Sequence, residues 1–429
     1  MNIYGWDTVS ALSIDAANRS LAQNSARLVT QFKVSGETLG TSYELQGEFG
    51  TWRIVPGGSG NILRVVVPIA AGTIRPASAG PVDLAGSSAL VDVSLELLPT
   101  ADGRSQNLVF AMHQAGRVGV PSIPGVVTPV RLNASPATAN TLGPVGEGLV
   151  LNAVAGALAA HASEVSFVFA SLNLVPPASG SWLTPVRSAF VYQEPRGRSG
   201  QLVIMSVTTD RDISRLEHTV DPELFATGDE LAFAMSQDLL LTKLIAPALP
   251  QVFGGGSGPG CFGYDAGRHI ITAARRFATN SVKEGAIWYT PQVGSLSVGV
   301  VGGQLALAVS GDCDLKAGIS MNWWITGQYP MAFDRTGQRV SFANSTGSRS
   351  GHSASIPWWF WAGGPLVEAI TEVVVTMIAD SLAGDLSAHL GSVGLGSLAA
   401  QSVHWQGARA FSASLARLNG ALMVNGTGA

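Results

Sequence analysis

The chain has 429 residues, of which 46% are hydrophobic and only 13% charged, about half the usual charged share. A net charge of −4 without any run of basic residues argues against binding driven by nucleic-acid phosphates. Two cysteines, Cys261 and Cys313, make no disulfide framework and carry no metal-ligand spacing. Length favours two or three domains, and a mean hydropathy of +0.28 asks for a large core, an apolar cavity or a membrane contact. No window is expected to span a membrane, which takes about 20 apolar residues in a row. The strongest stretch, Pro365 to Leu382, carries Glu368, Glu372 and Asp380. Met1 to Leu12 has neither a basic nor an apolar leader region, so synthesis in the cytoplasm is expected, with later non-classical secretion left open.

In chain order, the first predicted helix runs from Asp7, as N-cap, to about Ala26, with Val9, Leu12, Ala16 and Leu21 near helical spacing. Strands follow at Leu28–Val34, Tyr43–Phe49, Thr51–Val55, Leu63–Ile69, Leu90–Leu97 and Leu108–Met112. A second helix, about Gly148 to Ala162, has the stripe Leu151, Val154, Leu158, Ala162. Strands at Val165–Leu174, Ser188–Tyr192 and Leu202–Thr208 lead to the short apolar run Leu231–Met235. Ser236 stands there as the N-cap of a third helix, with Leu240, Leu241, Leu244 and Ile245 inside it and Pro247 ending or kinking it. Ser295–Val301, Gln304–Ser310 and Lys316–Ile325 read as strands, with a turn around Asp312 and Asp314.

The fourth helix, Pro365 to about Leu390, is the longest, at about 40 Å. Glu368, Glu372, Thr376 and Asp380 form one narrow polar stripe. Leu366, Ile370, Val373, Val374, Met377, Ile378 and Leu382 fill most of the rest, so this helix must be covered on more than one side. Ala410–Asn419 and Gly420–Val424 close the chain as strands. Gly302-Gly303 and Asn419-Gly420 between alternating runs are hairpin signals. Pro56–Gly60, Gly254–Gly260 and Asn344–Ser355 read as mobile loops.

Many hairpins and few helices predict an α+β fold with helices laid on antiparallel sheet, not a parallel βαβ sheet. The order of helices and strands repeats one plan twice. The expected division is 1–180 and 226–429 as modules, with 181–225 as connecting strands.

Catalytic motifs are sparse. Gly347-Ser348-Arg349-Ser350-Gly351 has Arg349 where a nucleophile elbow needs Ser. Gly394 to Ala399 fits a dinucleotide fingerprint in letters but follows a helix, not a strand. Asp312 and Asp314 supply too few oxygens for calcium, and the seven histidines are scattered. No enzyme activity, metal or cofactor is expected. Five tryptophans, Trp323, Trp324, Trp358, Trp359 and Trp361, crowd into a short span. Trp358, Trp359 and Trp361 just before the fourth helix are candidates for membrane or rim contact, or for plugging one end of a core.

Tyr4-Gly5-Trp6-Asp7, the passage Leu231 to Pro247, Ile287-Trp288-Tyr289-Thr290-Pro291 with Ser310-Gly311-Asp312-Cys313-Asp314, and Trp405 through Ala421 together resemble one family. It is the 47-kDa protein family of clostridial botulinum neurotoxin clusters of the OrfX type. The resemblance implies the tubular lipid-binding (TULIP) plan: two elongated modules, each a strongly curved antiparallel sheet wrapped around a long helix, with a lipid-sized seam between. It implies no catalytic residue. Unlike the clostridial members, this chain is rich in Ala, Gly and Val and takes its basic residues mostly as Arg, which points to a GC-rich bacterium.

The expected function is binding of a lipid or another long apolar ligand in that seam, as an accessory to a toxin or secretion system, with proteins encoded beside it as partners. Leu240, Leu244, Ile370, Val374, Met377 and Ile378 are the candidate lining residues. The alternative is a non-catalytic scaffold of a toxin-associated complex whose seam is packed solid.

Overall fold

The computed structural model of the protein describes every residue except 39, 78–79, 175–181, 226–227, 285, 317–318, 344–348, 356–362, 392–402, 409 and 429. Thr8–Ser13 is buried at all six positions, because it is a central strand with a neighbour on each side. It runs antiparallel to Gln201–Val207 and to Leu231–Ser236. Arg187–Gln193, Ala421–Gly428 and Phe411–Asn419 extend this to a six-stranded sheet. The predicted helix from Asp7 is corrected here. Helix α1 spans Ile14–Gln23, and its N-cap is Ser13, whose side chain accepts from Ala16 N. The polar–apolar alternation of Thr8 to Ala11 breaks at Leu12, and the spacing of Val9, Leu12 and Ala16 passes for a helical one. The Asp7 carboxylate instead accepts from Thr208 N at 2.7 Å and pairs with Arg211 at 2.6 Å.

One face of this central sheet carries Val9, Ala11, Val203, Met205, Ala232, Ala234 and Met423 under Ile3, Trp6, Leu216, Val220 and Leu224. The other face feeds two cores. Leu12, Leu202, Ile204 and Leu231 join the core of an N-terminal sheet, and Phe233, Met235, Leu422 and Val424 join that of a C-terminal one.

The N-terminal sheet is a curved array of eleven strands, antiparallel except where the short strand Gln114–Ala115 pairs parallel to Val126–Asn133. Its path runs from Gln31–Thr38 through Thr41–Phe49, Ile62–Pro76, Ser88–Pro99, Ser105–Ala111 and Val168–Asn173 to Val403–Trp405. Helix α2, Pro136–Ala160, packs on it with Val150, Val154 and Leu158 fully buried. It starts twelve residues before the expected Gly148, because Ser135 caps it and Pro136 follows, and it is kinked at Gly143 (φ 60°, ψ 177°). With those extra turns α2 is, by length and composition alone, long and apolar enough to cross a membrane, and 44% of its most apolar stretch is buried inside the protein.

The C-terminal sheet repeats the plan with eight strands. The 16-residue strand Ile319–Asp334 pairs with Gln304–Lys316 on one side. On the other it pairs with Arg349–Ser355 along its first half and Arg339–Phe342 along its second. Part of the expected loop Asn344–Ser355 is therefore strand. So is the expected turn at Asp312 and Asp314: both lie within Gln304–Lys316, where Asp312 faces Gln292 and Asn322 and pairs with Arg276. Pro56–Ser59 likewise belongs to the strand Arg53–Ser59, with irregular pairing before Ser59. Both expected hairpins form, over Gly302-Gly303 and Asn419-Gly420, with Gly302, Gly303 and Gly420 at positive φ.

Two helical elements fill the concave side of this sheet. Ser236 caps α3, Gln237–Leu239, as expected. The chain then continues as a π-helical stretch Leu240–Ile245, a tight turn Ala246–Ala248 and α4, Leu249–Phe253. Pro247 thus changes the helix without ending it, since the widened π turn just before it leaves room for the ring. Helix α5, Gly363–Gly391, lies between these segments and the sheet. The expected architecture, an α+β fold with a curved antiparallel sheet around a long helix in two copies, is the one observed.

Candidate functional site

Helix α5 presents its two stripes as the sequence implies. Glu368, Glu372, Thr376 and Asp380 are exposed, while Val367, Ile370, Val374 and Ile378 are buried. The helix is covered from two directions, by the sheet and by the helical run around Leu240–Phe253. Val373, between the stripes, remains 39% exposed, and Met377 is half-buried. Ser387 Oγ fixes the far end of α5 by accepting from Phe342 N at 3.0 Å. The six candidate lining residues are brought together. Leu240, Leu244, Ile370, Val374 and Ile378 belong to one buried cluster, and Met377 packs against it.

The facing strand alternates by the strand period. Met321, Trp323, Ile325 and Tyr329 point inward, and Asn322, Trp324 and Thr326 point out. Two polar atoms come inward with them. Trp323 Nε1 and Tyr329 Oη are both buried, and neither has a hydrogen-bond partner. Burial, together with the Asp380 carboxylate, pushes the Tyr329 phenol up to about 12. Thr371, the polar residue on the buried stripe of α5, is occupied: its hydroxyl donates to Val367 O at 2.8 Å, with Met321 Sδ at 3.6 Å.

Two other buried indoles are partnered. Trp6 donates to Glu217 O, and Trp405 to Ser10 Oγ, each at 2.9 Å. Trp52 in the N-terminal core lacks a hydrogen-bond partner but meets the Phe110 ring edge-on, 5.7 Å between centroids. An unpartnered buried donor costs about 1–3 kcal/mol, and the α5 seam holds two such groups.

Trp358, Trp359 and Trp361, the candidate rim residues, lie outside the described residues, as do Gly394 to Ala399. Trp324 is on the outer face of the sheet and 44% exposed. Arg349 opens a strand rather than a strand-to-helix turn. Among the described residues no group of three or more His, Cys, Asp or Glu side chains stands together as a metal site would need. The unpartnered Trp323 and Tyr329 atoms escape sequence reasoning, because pairing in three dimensions decides whether a tryptophan is satisfied.

Residues 3–400 match the OrfX-like family, described as Protein OrfX2/OrfX3/P47. Protein P47 of Clostridium botulinum (strain Kyoto / Type A2) is 28% identical over 246 residues, which are 57% of this chain and 56% of that protein. The aligned part thus spans little more than half the length of that relative. The structure of P47 from C. botulinum A2 superposes with a TM-score of 0.81 at 22% identity, over 100% of this chain and 98% of that one. P47 of C. botulinum E1 superposes with a TM-score of 0.83 at 21% identity, over the whole of both chains. At these identities the structural likeness speaks for the fold.

Proposed function

The chain belongs to the OrfX-like family, Protein OrfX2/OrfX3/P47, and within it we propose a binding role without catalysis: the protein holds a long, largely apolar ligand between α5 and the concave face of the C-terminal sheet. The observation that carries this reading is the pair of inward, buried and unpartnered polar atoms, Trp323 Nε1 and Tyr329 Oη. An acyl ester or carboxyl oxygen accepts from such donors, while its chain lies along Ile370, Val374, Met377 and Ile378. Leu240 and Leu244 close the other side. The seam is thus mostly apolar with a few orienting polar groups, the usual makeup of a ligand site.

One observation favours a second reading. Leu240, Leu244, Ile370, Val374 and Ile378 are between 0% and 3% exposed, each covered by other side chains of the chain. A seam already closed by protein suits a scaffold that acts through its surface. An accessory role beside a toxin or secretion system belongs to either reading, and co-purification with the products of neighbouring genes tests it.

The experiment that separates the two is mass spectrometry of organic extracts of the purified parent protein and of Trp323→Phe and Tyr329→Phe. A lipid in the parent that is depleted in both variants supports the carrier. Parent protein free of lipid after expression in a lipid-rich host, with Tyr329→Phe more stable than the parent, leaves the scaffold.

A further inference from the structure

A second site stands on the N-terminal sheet, away from the seam. Asn18 of α1 locks the helix to the strand Arg53–Ser59: its Nδ2 donates to Ile54 O at 2.9 Å and its Oδ1 accepts from Ile54 N at 2.7 Å. The start of α1 is tied to the segment after Gln193 through Ile14 N to Gly200 O at 2.8 Å. These two anchors hold open a cleft of about 900 Å³ between the helix, the strand and residues 194–200. Its floor is Ile14, Ile54 and Tyr192, side chains of the N-terminal core.

Its rim is charged, with Arg19, Arg53, Arg196 and Arg198 against only Asp15 and Glu194. Counting Glu230, which pairs with Arg19, four guanidinium groups meet three carboxylates, a local positive excess on a chain of net charge −4. Most of these groups are engaged. Glu194 accepts from Gly57 N at 2.6 Å and from the Tyr192 hydroxyl. Arg19 pairs with Glu230. Arg198 donates to Pro222 O at 2.6 Å and Phe225 O at 2.8 Å, which fixes its charge in the wall. Arg53 and Arg196 have no hydrogen-bond or ion-pair partner among the described residues.

We propose that this cleft binds an anionic amphiphile, its phosphate or carboxylate head held by Arg53 and Arg196 and its first alkyl carbons on Ile14, Ile54 and Tyr192. Guanidinium forks match the oxygens of either head group. The apolar floor adds affinity for the alkyl part that a free anion cannot use. The site does not depend on the α5 seam being open.

The test is calorimetric titration of the full chain with dodecyl phosphate, inorganic phosphate and dodecyl maltoside, all below micelle-forming concentrations. Dodecyl phosphate is expected to bind the parent more tightly than either of the others. Arg53→Gln/Arg196→Gln weakens it by roughly tenfold or more, while the control Arg117→Gln/Arg268→Gln does not. Equal affinity for inorganic phosphate overturns the amphiphile and leaves a free-anion site. Equal affinity for dodecyl maltoside, or an unchanged affinity in the Arg53/Arg196 variant, overturns the proposal. Val374→Trp keeps dodecyl phosphate binding here while altering the seam, so failure at one site is read apart from failure at the other.

Discussion

The indole N–H of Trp405 donates to Ser10 Oγ across 2.9 Å, joining residues 395 apart in the chain. The contact is buried, and it ties the last strand of the N-terminal sheet to the middle of the central one. Ser10→Ala leaves the indole without an acceptor, at an expected cost of about 1–3 kcal/mol. Trp405→Phe removes the donor as well as some packing. A double-mutant cycle by urea unfolding measures the coupling; additive effects mean that the bond contributes nothing.

Filling the seam separates a carrier from a scaffold. In a solid core, Val374→Trp or Met377→Trp overpacks and costs about 1–3 kcal/mol. In a carrier the ring replaces ligand, so thermal unfolding barely changes while co-purified lipid is lost. Lowered stability in both variants, with no lipid in the parent, ends the carrier reading.

Tyr329 predicts a response to alkali. Its phenol is raised in the folded protein from the ordinary value near 10 to about 12, first by burial and then by Asp380. The unfolded chain therefore ionises first. The stability tied to the neutral phenol is complete below pH 10 and falls as pH rises from 10 toward 12. Tyr329→Phe removes this contribution, so the stability difference between parent and variant shifts in favour of the variant across that interval. A difference that stays constant with pH contradicts the assignment.

The two cysteines are free and buried, so two thiols are expected to titrate in denaturant without reductant. Their reactivities in the folded protein differ. Burial, with Asp312 and Asp314 alongside, pushes the Cys313 thiol up to about 11. At Cys261, burial is outweighed by Gly258 N–H and Arg275, both 3.4 Å from the sulfur, and the thiol is drawn below its ordinary value. Alkylation at pH 8 followed by peptide mapping should therefore mark Cys261 before Cys313. The reverse order contradicts these environments.

Helix α5 is legible in the sequence because its polar residues recur every fourth position and solvent alone selects them. The cap Ser236 and the hairpin at Gly302-Gly303 are legible because their chemistry is local. Thr8–Ser13 is not, since its alternation lasts only four residues before Leu12 breaks it. Gly143 and Pro144 hide the first turns of α2 for the opposite reason: both usually break helices, and here the fold absorbs them as a kink. Ile370, Val374, Met377 and Ile378 are found through the α5 stripe, and Leu240 and Leu244 through the helix that Ser236 caps. The unpartnered atoms of Trp323 and Tyr329, and the meeting of Arg53 with Arg196, depend on which strands become neighbours, and no periodicity along the chain carries that.

The central sheet has a consequence for how the protein is made. Thr8–Ser13 leaves the ribosome long before its neighbours Gln201–Val207 and Leu231–Ser236. The inner edge of Leu231–Ser236 stays open until Ala421–Gly428 arrives. At about 5–20 residues per second, that last gap alone lasts roughly 10–40 s. Through that time an apolar strand edge is exposed on a nascent chain, where it is a template for pairing with other chains. Synthesis of this protein is thus a period of aggregation risk that holdase chaperones are suited to cover, and its yield should depend on their supply more steeply than the stability of the finished molecule suggests.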